Sequence, residues 1–236
     1  MTARWLAVAL VVTSLASPAA AGIVDAENYD AFWLWAGVAP QAVLARARTI
    51  YVLQGQVEPG RETVTAQGIS VPRLGARDVW IVYRAHTLRW PAAAYDVVGA
   101  QVARWREAGN RVVGVQIDFD ARASHLREYA AFLRDLRRRL PSDCRLGITG
   151  LLDWSANAEP ESLAALAGVI DEVVVQTYQG RRTIGDYRRY LSRVARLTLP
   201  FKVGLIQGGE WDAPATLATN PAFRGYVVFL QNRRAE

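Results

Sequence analysis

Residues 112–120 read VVGVQIDFD, a run in which polar and apolar side chains alternate towards its end. Successive side chains of a β-strand point to opposite faces, so Gln116, Asp118 and Asp120 share one face and the apolar residues between them share the other. We therefore predict a strand over Val112–Ala121, with an apolar face that packs on helices and a face that carries one amide and two carboxylates.

Helical patterns flank this strand on both sides. Apolar residues recur at spacings of three and four from Val98 to Trp105 and again from Leu126 to Leu140, which is the pattern of one helix face. A third such pattern runs from Ile184 to Val194. Gly109 and Pro141 fall where the first two helices should end. The local unit is therefore a strand followed by a helix.

This unit repeats along the chain. Eight apolar runs have the length of strands: Ala31–Gly37, Thr49–Val57, Asp78–Ala85, Val112–Ala121, Arg145–Trp154, Glu172–Gly180, Phe201–Gln207 and Gly225–Asn232. Eight strands that alternate with helices fit a small (β/α)₈ TIM barrel, an α/β fold of about 250 residues. An open doubly wound sheet is the competitor, but it would normally carry a glycine-rich phosphate loop, which residues 36–40, AGVAP, do not supply. We predict one barrel domain over residues 22–236.

The segment Pro59–Arg77, between the second and third strands, is long for a connection. It contains an alternating stretch, Thr63–Thr65, followed by a Gln67-Gly68 turn. We predict a hairpin excursion beside the barrel.

Composition limits the chemistry that the chain can perform. Cys144 is the single cysteine and cannot form a disulfide within the chain, and only His86 and His125 could join it on a metal. Most zinc sites with recognised ligand spacings are thereby excluded, and other metal chemistry would have to use carboxylates. We expect neither a metal nor another cofactor.

The chain is basic, with a formal net charge of +6, and Lys202 is its one lysine among 28 basic residues. The arginines recur on the polar sides of several separate helices. A nucleic-acid interface would concentrate them on one face, with aromatic side chains between them. We therefore expect no nucleic-acid partner.

The first residues have the features of a signal peptide. Met1–Arg4 is positively charged, Trp5–Ala16 is apolar, and Ala19–Ala21 has the small residues that signal peptidase requires. An uncleaved anchor is the alternative, but the apolar run is shorter than the about 20 residues that span a bilayer. We predict a signal peptide over residues 1–21, a mature chain that begins at Gly22, a periplasmic or secreted location, and no stable membrane anchor after cleavage.

In a (β/α)₈ barrel the active site lies at the carboxyl ends of the strands. The candidate residues at those positions are Trp35, Arg84, Gln116, Asp118, Asp120, Asp153, Gln176, Tyr178, Gln207 and Glu210. Aromatic side chains together with carboxylates, amides and an arginine suit a site that stacks on sugar rings and hydrogen-bonds hydroxyl groups. We predict a carbohydrate or polysaccharide ligand. Because alternate side chains of a strand point to the same face, we also predict that one pocket contains Asp118, Asp120, Gln176, Tyr178 and Gln207. The alternative is structural, with Asp118 only capping loops.

Four stretches of the chain resemble a bacterial secreted family known as domain of unknown function 3142. They are VQIDFDA at 115–121, YAAFLR at 129–134, ITGL at 148–151 and DEVVVQ at 171–176, and the resemblance extends from Asp25 to Asn232. It implies export and a barrel fold, with no established activity.

A more distant resemblance is to the chitinase-like barrel glycosidases of family 18. Their fourth strand carries D-x-D-x-E, where this chain has QIDFD at 116–120, and their sixth carries M-x-Y-D, where it has QTYQ at 176–179. The resemblance implies that Asp120 is the general acid, that Asp118 assists it and that Tyr178 steadies the reacting group. Gln116 and Gln179 depart from the pattern, and Asp120 is one methylene shorter than the glutamate.

These observations favour a secreted glycoside-hydrolase-like barrel that acts on a bacterial polysaccharide. Asp118 close to Asp120 would raise the pKa of one of the two carboxyls, and Glu210 is an alternative partner for Asp120 across the barrel. Two other functions stay open. Gln116 and Gln179 favour a barrel that binds glycan without cleaving it. If the polar side chains at the strand ends serve only the structure, the protein would be an envelope scaffold.

Overall fold

The computed structural model describes residues 22–194 and 199–232, so the predicted signal peptide lies outside the described residues. Eight strands form the central sheet: β1 Ala31–Leu34, β2 Thr49–Val57, β3 Asp78–Ala85, β4 Arg111–Asp118, β5 Arg145–Leu151, β6 Glu172–Gln176, β7 Phe201–Ile206 and β8 Phe223–Phe229. Each strand runs parallel to its neighbours, and β8 pairs with β1 through Val228↔Phe32. The sheet is therefore a closed barrel, and the predicted (β/α)₈ fold is confirmed.

The predicted bounds coincide with the observed ones for β2 and β3, whereas several other strands end earlier than the apolar pattern suggests. β4 ends at Asp118, which pairs with Arg84 at the end of β3. Beyond that pair no neighbouring strand continues the hydrogen-bond ladder. Asp120 therefore lies in the loop that follows β4, not in the strand itself.

Helices cover the outside of the barrel: α1 Ala92–Glu107, α2 Leu126–Arg139, α3 Trp154–Asn157, α4 Pro160–Ala164, α5 Tyr187–Val194 and α6 Ala215–Ala218. The predicted apolar stripes are the buried faces of the longer helices. On α1 this face includes Val98 and Trp105, and on α2 it includes Tyr129 and Leu133. None of the helices among the described residues combines the length and the apolar character needed to cross a membrane.

Large aromatic side chains fill the inside of the barrel. Trp33, Tyr51 and Trp80 are almost fully buried there, and the rings of Tyr51 and Trp80 stack at 5.7 Å between centroids. Glycine is required opposite Trp80, because a Cβ atom at Gly114 would lie 2.5 Å from the indole ring. The close approach of indole to backbone explains why a strand interior carries this glycine.

A buried charge cluster lies near the amino-terminal end of the barrel interior. Lys202 Nζ is 3.0 Å from Glu172 Oε2 and donates a hydrogen bond to the Tyr51 hydroxyl at 2.9 Å. The Tyr51 hydroxyl in turn donates to Glu172 Oε1. Burial raises the pKa of Tyr51 well above its ordinary value, so the phenol keeps the proton that it donates. Each charge in this cluster has a partner, as buried ions require.

The predicted excursion between β2 and β3 is present. A short strand, Thr65–Ala66, folds back antiparallel onto the end of β2, with Gly55↔Ala66 and Gln56↔Thr65 in register. β2 itself is thus one arm of the hairpin. The turn after the short strand contains Gly68 at φ +104°, a backbone conformation that favours glycine.

Candidate functional site

An open cleft of about 670 Å³ lies at the carboxyl ends of the barrel strands. Seven of the ten predicted site residues line it: Trp35, Arg84, Asp118, Asp120, Asp153, Gln176 and Tyr178. Each of them stands at the end of a barrel strand or just beyond it, where parallel strands bring their carboxyl ends to one edge. The chain therefore gathers these side chains from five different strands.

Asp118 is the buried carboxylate of the cleft, with a relative exposure of 4%. Thr149 Oγ1 donates a hydrogen bond to Asp118 Oδ1 at 2.9 Å, and Arg84 Nη1 lies 3.4 Å from Asp118 Oδ2. Burial raises the pKa of the Asp118 carboxyl, while the charge of Arg84 and the hydrogen bond from Thr149 act in the opposite direction. Asp118 is thus held in one orientation by two partners.

Asp120 is the exposed carboxylate, and 63% of its side chain is open to solvent. Arg84 Nη2 lies 3.6 Å from Asp120 Oδ2, so one guanidinium bridges both carboxylates. The same guanidinium lies 5.5 Å from the ring centroid of Trp35. Arg84 therefore links the two carboxylates to the aromatic wall of the cleft.

Trp35, Tyr178 and Phe229 form that aromatic wall. The Phe229 ring centroid lies 5.3 Å from that of Trp35 and 5.8 Å from that of Tyr178. Burial raises the pKa of the Tyr178 phenol well above its ordinary value, and the nearby charge of Asp118 raises it further. Tyr178 consequently stays neutral and offers a hydroxyl group beside the carboxylates.

Two polar atoms of the cleft residues are buried without a hydrogen-bond partner among the described residues. They are Trp35 Nε1, which can only donate, and Asp153 Oδ1. Burial also raises the pKa of the Asp153 carboxyl, although backbone hydrogen bonds oppose the shift. Unsatisfied groups of this kind are uncommon in folded proteins, and in a cleft they are available to a ligand.

Three predicted site residues do not line the cleft, and Gln116 is one of them. Its side chain is fully buried deeper in the barrel, where Gln116 Oε1 accepts a hydrogen bond of 2.7 Å from Trp33 Nε1. The side chain of Gln116 points into the barrel, as the sequence predicts. Gln116 precedes Asp118 by two residues on β4, so it lies deeper in the barrel, below the residues that line the cleft.

The predicted place of Gln207 in the pocket is corrected. Gln207 and Gln41 exchange side-chain hydrogen bonds, and Gln207 Oε1 also accepts one from the Gln231 backbone. These bonds tie three loops together and engage both ends of the Gln207 amide. Glu210 is likewise displaced from the cleft: it is exposed in a two-residue strand, Glu210–Trp211, that pairs with Gly22–Ile23. Glu210 therefore does not line the cleft that holds Asp120.

The sequence reasoning missed several residues that line the cleft. They are Arg122, Leu151, Leu152, Gln179, Gly180, Ile184, Tyr190 and Phe229. Parity along β8 could have found Phe229, because it shares the inward face with Val227, two residues earlier. No comparable pattern marks Arg122, which comes from a loop, or Tyr190, which comes from α5.

Within residues 22–194 and 199–232, no three or more His, Cys, Asp and Glu side chains are grouped so that they could hold a metal ion. In the cleft, the cation nearest to Asp118 and Asp120 is the guanidinium of Arg84. The cleft places two carboxylates of different burial beside a neutral phenol.

Comparison with known proteins gives one family match and a set of related folds. Residues 88–192 match the family described as Domain of unknown function (DUF3142). The matched region contains β4, β5 and β6, and with them Asp118, Asp120 and Tyr178. No match is found among curated protein sequences.

Among solved structures, the chain is similar to the chitinase domain of the spore coat protein CotE from Clostridium difficile. The TM-score is 0.52 at 12% identity, and the alignment covers 84% of this chain and 68% of that domain. It is equally similar to the xylanase and alpha-amylase inhibitor protein XAIP-II from Scadoxus multiflorus, with a TM-score of 0.52, 12% identity, and coverage of 84% and 91%.

The Bacillus cereus spore cortex-lytic enzyme SleL gives a TM-score of 0.46 at 15% identity, over 74% of this chain and 49% of that one. The chain thus spans about half the length of SleL. At 12% identity, the similarity to the CotE domain and XAIP-II shows a shared barrel fold.

Proposed function

We propose that the chain is a secreted or periplasmic glycoside-hydrolase-like barrel that acts on a bacterial polysaccharide, with Asp120 as the general acid. The observation that carries the proposal is the pair Asp118 and Asp120 in one open cleft against an aromatic wall. The export part of the proposal rests on the signal-like sequence of residues 1–21.

Hydrolysis of a glycosidic bond needs a carboxyl that protonates the leaving oxygen and a second group that stabilises the oxocarbenium centre. Asp120 suits the first role because its exposed carboxyl can approach a bound glycan within hydrogen-bond distance. Asp118 is buried below it and suits the second role, together with the neutral hydroxyl of Tyr178.

Arg84 lies between the two carboxylates that this mechanism uses, with Nη1 3.4 Å from Asp118 Oδ2 and Nη2 3.6 Å from Asp120 Oδ2. A bound glycan whose hydroxyl groups accept hydrogen bonds from Arg84 would draw the guanidinium away from Asp120. The Asp120 carboxyl would then be free to contact the leaving oxygen, as a general acid must.

A second candidate is a barrel that binds glycan without cleaving it. The ion pairs of Arg84 with both carboxylates favour it, because they leave neither carboxylate without a neighbouring cation. Gln116 and Gln179, which stand where the chitinase-like pattern has carboxylates, favour it as well. The open cleft with its aromatic wall supports either glycan function over a purely structural scaffold.

The deciding experiment measures both turnover and affinity on a polysaccharide that the wild-type protein binds. In Asp120→Asn we expect hydrolysis to fall at least about 100-fold, the scale of a lost general acid, while affinity is retained. Asp96→Asn, which removes an exposed carboxylate of α1, is the matched control. Full turnover by Asp120→Asn would refute the acid role, and wild-type binding without turnover would establish the second candidate.

A further inference from the structure

The opposite end of the barrel holds a second large cavity, again of about 670 Å³. We call it the basal basin. It lies at the amino-terminal ends of the strands and shares no residue with the cleft. Its cationic lining side chains are Arg46, Arg48, Arg77, Arg111, Lys202 and Arg224, while its carboxylates are Asp30 and Asp78.

Part of this positive charge is neutralised within the fold. Arg111 Nε lies 2.7 Å from Asp78 Oδ1, and Arg48 Nε lies 3.8 Å from Asp30 Oδ2. Arg46 pairs with Glu27 at 2.9 Å, at the edge of the basin. These exposed pairs account for three of the arginines and leave the others to be explained.

Arg77 and Arg224 form no salt bridge with any carboxylate of the described residues. Arg77 donates hydrogen bonds to the backbone carbonyls of Leu74 and Ala45, and its Nε is buried without a partner. Arg224 donates only to backbone carbonyls of its own turn. Unneutralised guanidinium groups around one cavity repel each other, and an anion bound between them would remove that cost.

An aromatic groove continues the basin on one side. A cavity of about 490 Å³ shares Asp30, Arg46, Gly225 and Tyr226 with the basin, and Glu27, Asn28 and Tyr29 complete its lining. Its two carboxylates have arginine partners, since Glu27 pairs with Arg46 and Asp30 with Arg48. The rings of Tyr29 and Tyr226 meet edge to face, with centroids 5.6 Å apart, and both are half-buried. Half-buried tyrosines offer flat apolar surface together with a hydroxyl, which suits the C–H face of a sugar ring.

We propose that the basal basin and its tyrosine groove form a binding site for an anionic oligosaccharide, separate from the cleft. The arginines would pair with its carboxylate or sulfate groups, since guanidinium forks match planar or tetrahedral oxyanions. Sugar rings would lie along Tyr29 and Tyr226. Their edge-to-face geometry offers no parallel pair of faces for successive bases, so a glycan is favoured over a nucleic acid.

The test is calorimetric titration of the mature protein with three oligosaccharides of about ten residues: oligogalacturonate, sulfated dextran and neutral dextran. We expect binding of one or both anionic probes and none of the neutral one, and their ranking shows whether carboxylate or sulfate is preferred. Arg48→Gln with Arg224→Gln should weaken that binding at least about fivefold.

The matched control is Arg61→Gln with Arg127→Gln, which removes the same charge from exposed arginines outside the basin and the cleft. Its affinity should stay within about twofold of the wild type. Thermal midpoints of both double variants establish that they are folded. Equal weakening in the two double variants would overturn the proposal, because it would indicate non-specific attraction to a basic protein.

Two further measurements separate this site from the cleft and from other partners. Trp35→Ala alters the cleft and should leave the affinity for the anionic probes unchanged. The binding measurement needs no turnover, so this proposal can hold even if the proposed glycosidase function fails. A Trp35→Ala variant that loses the binding would place the ligand in the cleft and refute the proposal. Tighter binding of single-stranded DNA of similar length than of either anionic glycan would also refute it.

Discussion

Thr149 Oγ1 donates a hydrogen bond of 2.9 Å to Asp118 Oδ1 and so joins the end of β5 to the end of β4. The same hydroxyl oxygen accepts a hydrogen bond of 3.2 Å from the Phe119 backbone. Thr149 therefore fixes both the buried carboxylate and the first peptide of the loop that carries Asp120. The relative position of the two carboxylates depends on this hydroxyl group together with the Arg84 guanidinium, which bridges them.

Replacing this hydroxyl gives a direct test. We expect Thr149→Val to lower the free energy of unfolding by about 1–3 kcal/mol, because it removes a hydrogen bond to a buried carboxylate. Thr149→Ser keeps the hydroxyl and should retain more of that stability than Thr149→Val. Chemical denaturation of the three proteins measures the difference, and equal stability of the Val and Ser variants would contradict the role of the hydroxyl.

The buried carboxyl of Asp118 should make stability depend on pH. Burial raises its pKa in the folded state above the value of 3.8 for an unperturbed aspartate. Folding then favours the protonated form. Its stabilising contribution is fully present below the unfolded pKa and is lost as the pH rises through the raised folded pKa.

We therefore expect the wild type to lose stability relative to Asp118→Asn as the pH rises from about 3 to about 7. Guanidinium unfolding at several pH values measures the difference between the two curves. Asp96→Asn controls for the loss of one acidic group at an exposed position. A difference between wild type and Asp118→Asn that is constant with pH would show that Asp118 is not perturbed in the folded state.

Tyr178→Phe removes one hydroxyl from the aromatic wall and leaves the ring. We expect turnover or glycan affinity to fall by no more than about tenfold, the scale of one hydrogen bond, and thus less than turnover falls in Asp120→Asn. Tyr95→Phe, on α1 outside the cleft, is the control. A loss in Tyr178→Phe as large as that in Asp120→Asn would require a larger role for the phenol.

The buried cluster of Lys202, Glu172 and Tyr51 should respond strongly to the loss of one member. Lys202→Met leaves the Glu172 carboxylate buried without its cation, which should cost about 3–5 kcal/mol of unfolding free energy. Adding Glu172→Gln should recover part of that loss, because the uncompensated charge is then gone. Denaturant titration of the single and double variants checks this, and a double variant that is less stable than Lys202→Met would contradict it.

The sequence determined the inward and outward faces of the strands, because the alternation of side chains is a property of the extended backbone itself. The repeat of strands and amphipathic helices likewise predicted the closed barrel. The same alternation predicted Asp118 on the inner face of β4, where the structure has it. These features depend on the order of residues along the chain, so the sequence alone is enough to predict them.

The tertiary structure decided where each strand ends and which polar side chains find partners. β4 ends at Asp118 because its pairing with β3 ends there, and Asp120 is thereby carried into the loop. Gln207 hydrogen-bonds to Gln41, which is 166 residues away in the chain, and does not line the cleft. The arginines of the basal basin also come from segments that are far apart in sequence. Only closure of the barrel brings them together, because the alternation of side chains within one strand does not say which other strands lie beside it.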